Sequence, residues 1–125
     1  MSEKQFRFQD LDVWKHAAEF SPQLFSLANQ LEERRLFRFA EQLRAATLSI
    51  TNNIAEGSGS VSKADFANFL NTARRSTFEV ANILLLLDQN GYLKGSDRGK
   101  ILSDLEQESR MLLGFIRTLG RSRAS

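Results

Sequence analysis

The sequence contains no cysteine, one histidine and one proline. The absence of cysteine excludes disulfides and thiolate metal sites, and His16 alone cannot supply the two histidines of a di-iron bundle. We therefore expect no metal and no cofactor. No base stands out that would activate a serine nucleophile, so we predict no catalytic residue and no enzymatic activity. The small number of prolines and glycines favours long helices over many short strands.

Long apolar runs are also lacking. The longest, residues 83–87, is far shorter than the roughly 20 residues of a membrane-spanning helix. The first ten residues alternate charged and polar side chains and lack the apolar segment of a secretory signal. We therefore expect a cytoplasmic protein that does not associate with a membrane.

Apolar residues recur at steps of three and four along four segments, which predicts four helices. The helices span about 12–30, 36–56, 62–90 and 97–120. The length suits a single domain, residues 1–125, with 1–10 as an N-terminal extension and 121–125 as a frayed tail. Long helices joined by short loops predict an all-α fold, an antiparallel up-down-up-down four-helix bundle. The core-facing row of helix four is Ile101, Leu105, Leu112, Ile116 and Leu119.

Local signals mark the helix boundaries. Asp10 and Ser62 are predicted N-caps of helices one and three, because their side-chain oxygens can accept hydrogen bonds from the first turn. Glycine readily adopts the left-handed conformation that ends helices. The helix ends predicted on this basis are Gly57 for helix two, Gly91 for helix three and Gly120 for helix four. Pro22 predicts a kink in helix one. The alternative is a break, with Ser21 capping a second segment.

The helices carry more apolar surface than one bundle buries, which predicts a homo-oligomer. The predicted interface lies on the flanks of helices one, three and four and comprises Leu11, Trp14, Ala18, Phe25, Phe78, Leu85, Leu86, Leu102 and Leu113. The alternative is that the N-terminal segment, with Phe6 and Phe8, folds back and covers part of this surface.

Two groups of basic residues are candidate binding surfaces for a polyanion, because the guanidinium fork of arginine matches a phosphate. In an up-down-up-down bundle, the loops after helices one and three lie at the same end. The loop-end group that gathers there is Arg34, Arg35, Arg38, Lys94 and Arg98. The helix-four stripe is Arg110, Arg117 and Arg121. The alternative is a solvated face whose cations pair with nearby carboxylates. His16 is predicted to be a surface histidine on the polar side of helix one.

The middle of the chain carries a distinctive motif. Residues 49–57 read Ser-Ile-Thr-Asn-Asn-Ile-Ala-Glu-Gly, and residues 11–14 near the start read Leu-Asp-Val-Trp. These features resemble the four-helix-bundle proteins encoded in intervening sequences of bacterial 23S ribosomal RNA genes. The resemblance implies a cytosolic antiparallel bundle assembled as a ring of five, and it implies no reaction. The motif's polar residues and its glycine are Asn52, Asn53, Glu56 and Gly57. They form either a ligand site or a structural set that bonds to a neighbouring helix and to the following loop.

We therefore predict a non-enzymatic homo-oligomer that binds structured RNA or another polyanion through repeated arginine patches. Its partners are further copies of itself and, as a candidate, ribosomal RNA, and we identify no small-molecule substrate. The alternative is an oligomeric scaffold or adaptor for a protein partner, with no role in nucleic-acid binding.

Overall fold

Four α-helices make up most of the computed structural model, which describes residues 5–93 and 98–124, the last four of these as backbone only. The helices are α1 (Asp12–Glu33), α2 (Phe37–Ser58), α3 (Lys63–Gln89) and α4 (Arg98–Ala124). A single 3₁₀ turn at Arg7–Asp10 precedes them. No strand occurs in the described residues. The prediction of an all-α fold with four helices is confirmed.

The helices alternate in direction. Arg44, early in α2, donates a hydrogen bond to Glu32, at the end of α1, over 2.9 Å. Phe66, near the start of α3, packs edge-on against Phe115 in the second half of α4, with ring centroids 5.2 Å apart. Residues 59–62 alone separate α2 from α3, and these two helices pack along their length. The bundle is therefore antiparallel and up-down-up-down, as predicted.

One apolar core fills the bundle, because each helix buries the row that its three–four spacing marks out. The buried row of α1 is Val13, Ala17, Phe20, Leu24, Leu27 and Leu31. In α4, Ile101, Leu105, Leu112 and Leu119 are buried, whereas Ile116 is half-buried. Burial of a large apolar side chain stabilises the fold by about 1.5–3 kcal/mol, so the amphipathic pattern selects this arrangement.

The helices around the bundle are not packed equally. Helices α1 and α4 contact each other much less than the three pairs that are consecutive in the chain. A cavity of about 790 Å³ lies beside the second half of α1, with Tyr92 and Ile101 on its far wall. A smaller cavity of about 440 Å³ lies between the start of α1 and Met111 and Phe115 of α4. This loosely packed boundary between α1 and α4 is the seam of the bundle.

Two predicted ends of α3 are confirmed. The hydroxyl oxygen of Ser62 accepts a hydrogen bond from the Asp65 N–H over 3.1 Å, as expected of an N-cap. At the other end, Gly91 has a φ of +76°, and the Tyr92 N–H bonds to the Leu87 carbonyl over 2.9 Å. Glycine suits this position because it has no Cβ to oppose a positive φ.

Three other helix-end predictions are wrong. The N-cap of α1 is Leu11 rather than Asp10, and the Leu11 side chain makes no capping hydrogen bond. Helix α2 continues one residue beyond Gly57, whose φ is not positive, and α4 continues past Gly120. A glycine inside a helix costs only about 1 kcal/mol relative to alanine, so packing of the flanking residues can carry a helix through it.

Helix α1 and the turn that follows it each contain one unusual backbone position. It is continuous through Pro22, so the alternative of a break there is wrong, and the kink stays a prediction. Just after α1, Arg35 has a φ of 63°, a conformation that costs a residue with a Cβ about 1–2 kcal/mol. This turn lets the Leu36 N–H bond to the Leu31 carbonyl over 2.9 Å, which is the closure usually made with glycine.

Candidate polyanion interface

In the loop-end group, Arg34 and Arg98 each contact the end of α3 or the loop that follows it. The Arg34 guanidinium donates a hydrogen bond to the Tyr92 carbonyl over 3.2 Å and lies 5.3 Å from the centre of the Tyr92 ring. The loops after α1 and α3 therefore lie at the same end of the bundle. The Nε atom of Arg98 lies 3.1 Å from a carboxylate oxygen of Asp88. Lys94 lies outside the described residues. Arg34 and Arg98 thus have local partners that compete with a ligand.

Helix α4 carries the second group. Arg110 lies 3.6 Å from Glu106, and the side chains of this pair are 71% and 72% exposed. Such an exposed pair contributes little, because water and salt screen it. Arg117 is exposed further along the stripe, and the side chain of Arg121 lies outside the described part of the chain. The stripe is therefore open to solvent over the part that the structure describes.

Three of the predicted arginines carry positive charge with no described neutralising group. Arg35, Arg38 and Arg117 are exposed, and none makes a hydrogen bond or ion pair with a described side chain. An unpaired guanidinium can bind a phosphate through two parallel hydrogen bonds. These residues supply anion-binding chemistry.

Two arginines that the sequence did not single out are engaged in the fold. Arg44 donates to Glu32 over 2.9 Å and to the Asn29 side chain over 2.7 Å. Arg74 donates through Nε to the Ser109 carbonyl over 3.2 Å. Its guanidinium group also lies over the ring of Phe78, 4.8 Å from the ring centre. These cations tie α1 to α2 and α3 to α4, so they are structural rather than available to a ligand.

The polar residues of the central motif divide into one half-buried member, Asn53, and two exposed members. The Asn53 amide donates to the Ser49 carbonyl and hydroxyl over 2.8 and 2.9 Å, and the Ser49 hydroxyl lies 2.7 Å from that of Ser76 on α3. Asn53 therefore bonds within its own helix and reaches the neighbouring helix only through Ser49. Asn52 and Glu56 are exposed. The Glu56 main-chain carbonyl, rather than its side chain, accepts from the loop that follows α2.

Gly57 serves close packing instead of a turn. A Cβ at this position would lie 2.6 Å from the Cβ of Phe69 and 2.9 Å from a ring carbon of Phe66. Both distances are shorter than ordinary contacts between carbon atoms. The motif's glycine is therefore required because α3 approaches α2 at this point.

The predicted oligomer interface is covered on α1 and open on α3. Phe8 packs against Trp14 with ring centroids 5.3 Å apart, and Phe6 stacks on Phe8. The N-terminal segment thus folds back over part of the stripe, as the alternative interpretation held. On α3, Phe78, Leu85 and Leu86 are exposed, Phe78 by 50%. The half-buried members of the predicted interface are Leu11, Trp14, Ala18, Phe25, Leu102 and Leu113.

Other apolar side chains are exposed that the sequence did not predict. They are Phe37 and Leu48 on α2, Val61 in the loop before α3, and Phe6. The helical pattern did not distinguish Phe37 and Leu48 from buried residues, because each stands next to a predicted core position in the sequence. Isolated exposed apolar residues are common on soluble proteins.

A buried histidine–glutamate pair crosses the seam. His16 Nδ1 lies 2.8 Å from Glu108 Oε1, and the two side chains are 18% and 0% exposed. The second oxygen of Glu108, Oε2, is buried and has no hydrogen-bond partner among the described groups. Burial raises the pKa of Glu108 to about 8, because removal from water disfavours the charged carboxylate. The prediction that His16 is a surface residue is wrong.

The sequence contained a signal for this pair. From Leu105 to Leu112 the apolar row of α4 makes a step of seven instead of three or four, and Glu108 stands three residues after Leu105. His16 similarly stands three residues after Val13. Glu108 continues the three–four spacing of its row and His16 borders the row of α1, so helical geometry turns both toward the core. His16 was predicted to lie on the polar side of its helix, and Glu108 was not singled out.

Within residues 5–93 and 98–124, no group of three or more histidine, aspartate or glutamate side chains is placed to hold a metal ion. In the same part of the chain, no helix has the length and apolar character to cross a membrane.

Comparison with known proteins identifies relatives of the chain. The model of a family described as 23S rRNA-intervening sequence protein matches residues 9–114. The fold is similar to the crystal structure of a protein of unknown function from the S23 ribosomal protein family of Bacteroides thetaiotaomicron. The two share 28% sequence identity and a TM-score of 0.78, over 83% of this chain and 97% of that chain. No curated protein matches the chain significantly.

Proposed function

Because the chain belongs to the family of 23S rRNA-intervening sequence proteins, we propose that it is a homo-oligomer that binds structured RNA through repeated arginine patches. Ribosomal RNA is the first candidate ligand. The observation that carries the proposal is the exposure of Arg35, Arg38 and Arg117 without a described neutralising partner. Binding of this kind reads shape and phosphate positions and needs no catalytic group.

Self-association would strengthen such a surface. Each chain offers few unpaired guanidinium groups, which is a weak site for a polyanion, but repeated copies raise the effective concentration of the second and later contacts. The exposed Phe78, Leu85 and Leu86 on α3 support the proposed self-association. A ring of five would display each arginine group five times around one axis.

Binding to a 23S rRNA fragment, followed by fluorescence anisotropy from about 50 to 200 mM salt, tests the RNA role. We expect the logarithm of the association constant to fall steeply with the logarithm of salt concentration. Arg117→Ala should reduce the magnitude of that slope by about 0.9 for each phosphate that is no longer neutralised. Arg44→Ala is the matched control, because it removes the same charge from a residue bonded to Glu32 and Asn29. Its slope should equal that of the parent protein.

Three outcomes would contradict the RNA role: no binding, binding that is independent of salt, or the same reduction in slope for Arg117→Ala and Arg44→Ala. The first two would support the alternative of an adaptor for a protein partner. Circular dichroism of both variants checks that the helices remain folded.

Light scattering coupled to size-exclusion chromatography tests self-association. Phe78→Asp should lower the mass of the assembly, because it places a charge in the proposed apolar interface. Phe37→Asp is the control, since Phe37 is similarly exposed but lies outside the predicted stripes. A parent protein that is monomeric at all concentrations would refute the oligomer, and equal effects of the two variants would refute the proposed location.

A further inference from the structure

The His16–Glu108 pair occupies a decisive place in the seam. It is the one hydrogen bond between side chains of α1 and α4 within the described residues, and it joins the two helices that pack least closely in the bundle. The larger cavity lies beside the second half of α1 and its C-terminal end, from residue 22 to residue 34. The smaller cavity lies beside the start of α1, at residues 10–13. His16 lies between these ranges in the sequence, so the pair joins α1 to α4 between the two open stretches of the seam.

The state of this pair depends on one proton. With the proton present, Glu108 is neutral, donates through Oε1 to His16 Nδ1, and leaves only a carbonyl oxygen unpartnered. Without it, a carboxylate with one unpartnered oxygen is buried in the core. A buried charge that lacks a second partner is strongly unfavourable, and entry of water beside it lowers that cost.

Apart from His16, the surrounding charged residues give Glu108 no direct ionic partner among the described residues. On α1, Asp12 and Glu19 lie within about one turn of His16. On α3, Arg74 is bonded to the Ser109 carbonyl. On α4 itself, Asp104 pairs with Lys100 over 3.2 Å, and Arg110 pairs with Glu106. The buried residues of α2 include no charged side chain, and the 3₁₀ turn buries none of its residues.

We propose that the His16–Glu108 pair is a proton-controlled latch, which holds α1 against α4 while it keeps its proton and lets water loosen the seam when the proton is released. We expect the opening to be local, because no described hydrogen bond joins the Glu108 carboxyl group to α2 or α3. Helix content is therefore maintained while the seam becomes accessible.

The single tryptophan of the chain reports on the latch. Trp14 is half-buried on α1, two residues before His16. We expect acrylamide to quench its fluorescence more strongly as the pH rises from about 6 to about 9.5, with a midpoint within about one unit of pH 8. Far-UV circular dichroism should stay unchanged over the same range. Because His16 is the only histidine, its imidazole resonances are uniquely assigned by NMR and should shift with the same midpoint.

Glu108→Gln supplies the control, because it keeps the shape of the side chain and removes its proton equilibrium. Every other titrating group is retained in this variant, so a transition caused by another group would persist. We expect both transitions near pH 8 to disappear. Glu108→Leu is a second variant that should behave in the same way if the glutamine form does not fold. A constant quenching response in the parent protein, or a transition that survives in either folded variant, would overturn the proposal.

Discussion

Replacement of Gly57 with alanine tests the close approach of α2 and α3. The new Cβ would lie 2.6 Å from Phe69 Cβ, an atom attached directly to the backbone of α3. A change of side-chain rotamer cannot move that atom, so the helices must separate locally. Overpacking of this kind costs about 1–3 kcal/mol, and alanine recovers about 1 kcal/mol of helix propensity. The close contact places the cost near the top of its range, and we expect a net destabilisation of about 2 kcal/mol.

Gly114→Ala is the matched control, because a Cβ at this position of α4 meets no atom within 4 Å. The free energy of unfolding of this variant should be higher than that of the parent protein by about 1 kcal/mol. Thermal unfolding followed by circular dichroism should therefore give a Tm about 5–10 °C lower for Gly57→Ala and a higher Tm for Gly114→Ala. A rise in Tm for both variants would refute the argument that α3 requires a glycine at position 57.

Two further predictions concern charged residues. Glu108 has its folded-state pKa raised from 4.5 to about 8, so its stabilising contribution is complete below pH 4.5 and is lost as the pH rises through 8. The loss is about 5 kcal/mol at 1.36 kcal/mol per pH unit. In urea unfolding, the free energy of unfolding of Glu108→Gln should rise relative to that of the parent protein by up to this amount as the pH increases from 4.5 to 8. A difference between the two proteins that does not change with pH would contradict this reasoning. Arg35→Gly removes a side chain from a backbone with a φ of 63°, so it should raise the free energy of unfolding by about 0.5–1 kcal/mol. An unchanged or lower value in the same urea assay would show that this turn is not strained.

The periodic part of the fold was predictable from the sequence, because burial of apolar rows dominates the choice of structure. All six core positions from Val13 to Leu31 follow from spacing alone and are buried. The helix ends were less predictable, since a glycine signals a turn and tolerates a helix interior equally well. At Gly91 the turn occurs, whereas at Gly57 the nearby aromatic side chains of α3 set the requirement. No local pattern distinguishes these two cases.

The candidate site was predictable only at the level of topology. Alternating helix directions correctly place Arg34 beside the loop at Tyr92. The partners of individual arginines could not be predicted, because Arg44 and Arg74 are engaged by groups that are distant in sequence. Glu108 was missed for a related reason. A charged residue in a core row is rare, and its acceptance depends on His16 from another helix.

The contrast between the tightly packed α2–α3 contact and the seam divides the molecule mechanically. Helices α2 and α3 are held closely together where the Ser49 and Ser76 hydroxyl groups meet and where Gly57 makes room for Phe69. Helices α1 and α4 pack on either side of this central pair. The backbone amide hydrogens of α2 and α3 should exchange with solvent last, since their exchange requires the whole molecule to unfold. We expect α1 and α4 to separate slightly and close again on a faster timescale, so a small molecule that enters the core should do so between these two helices.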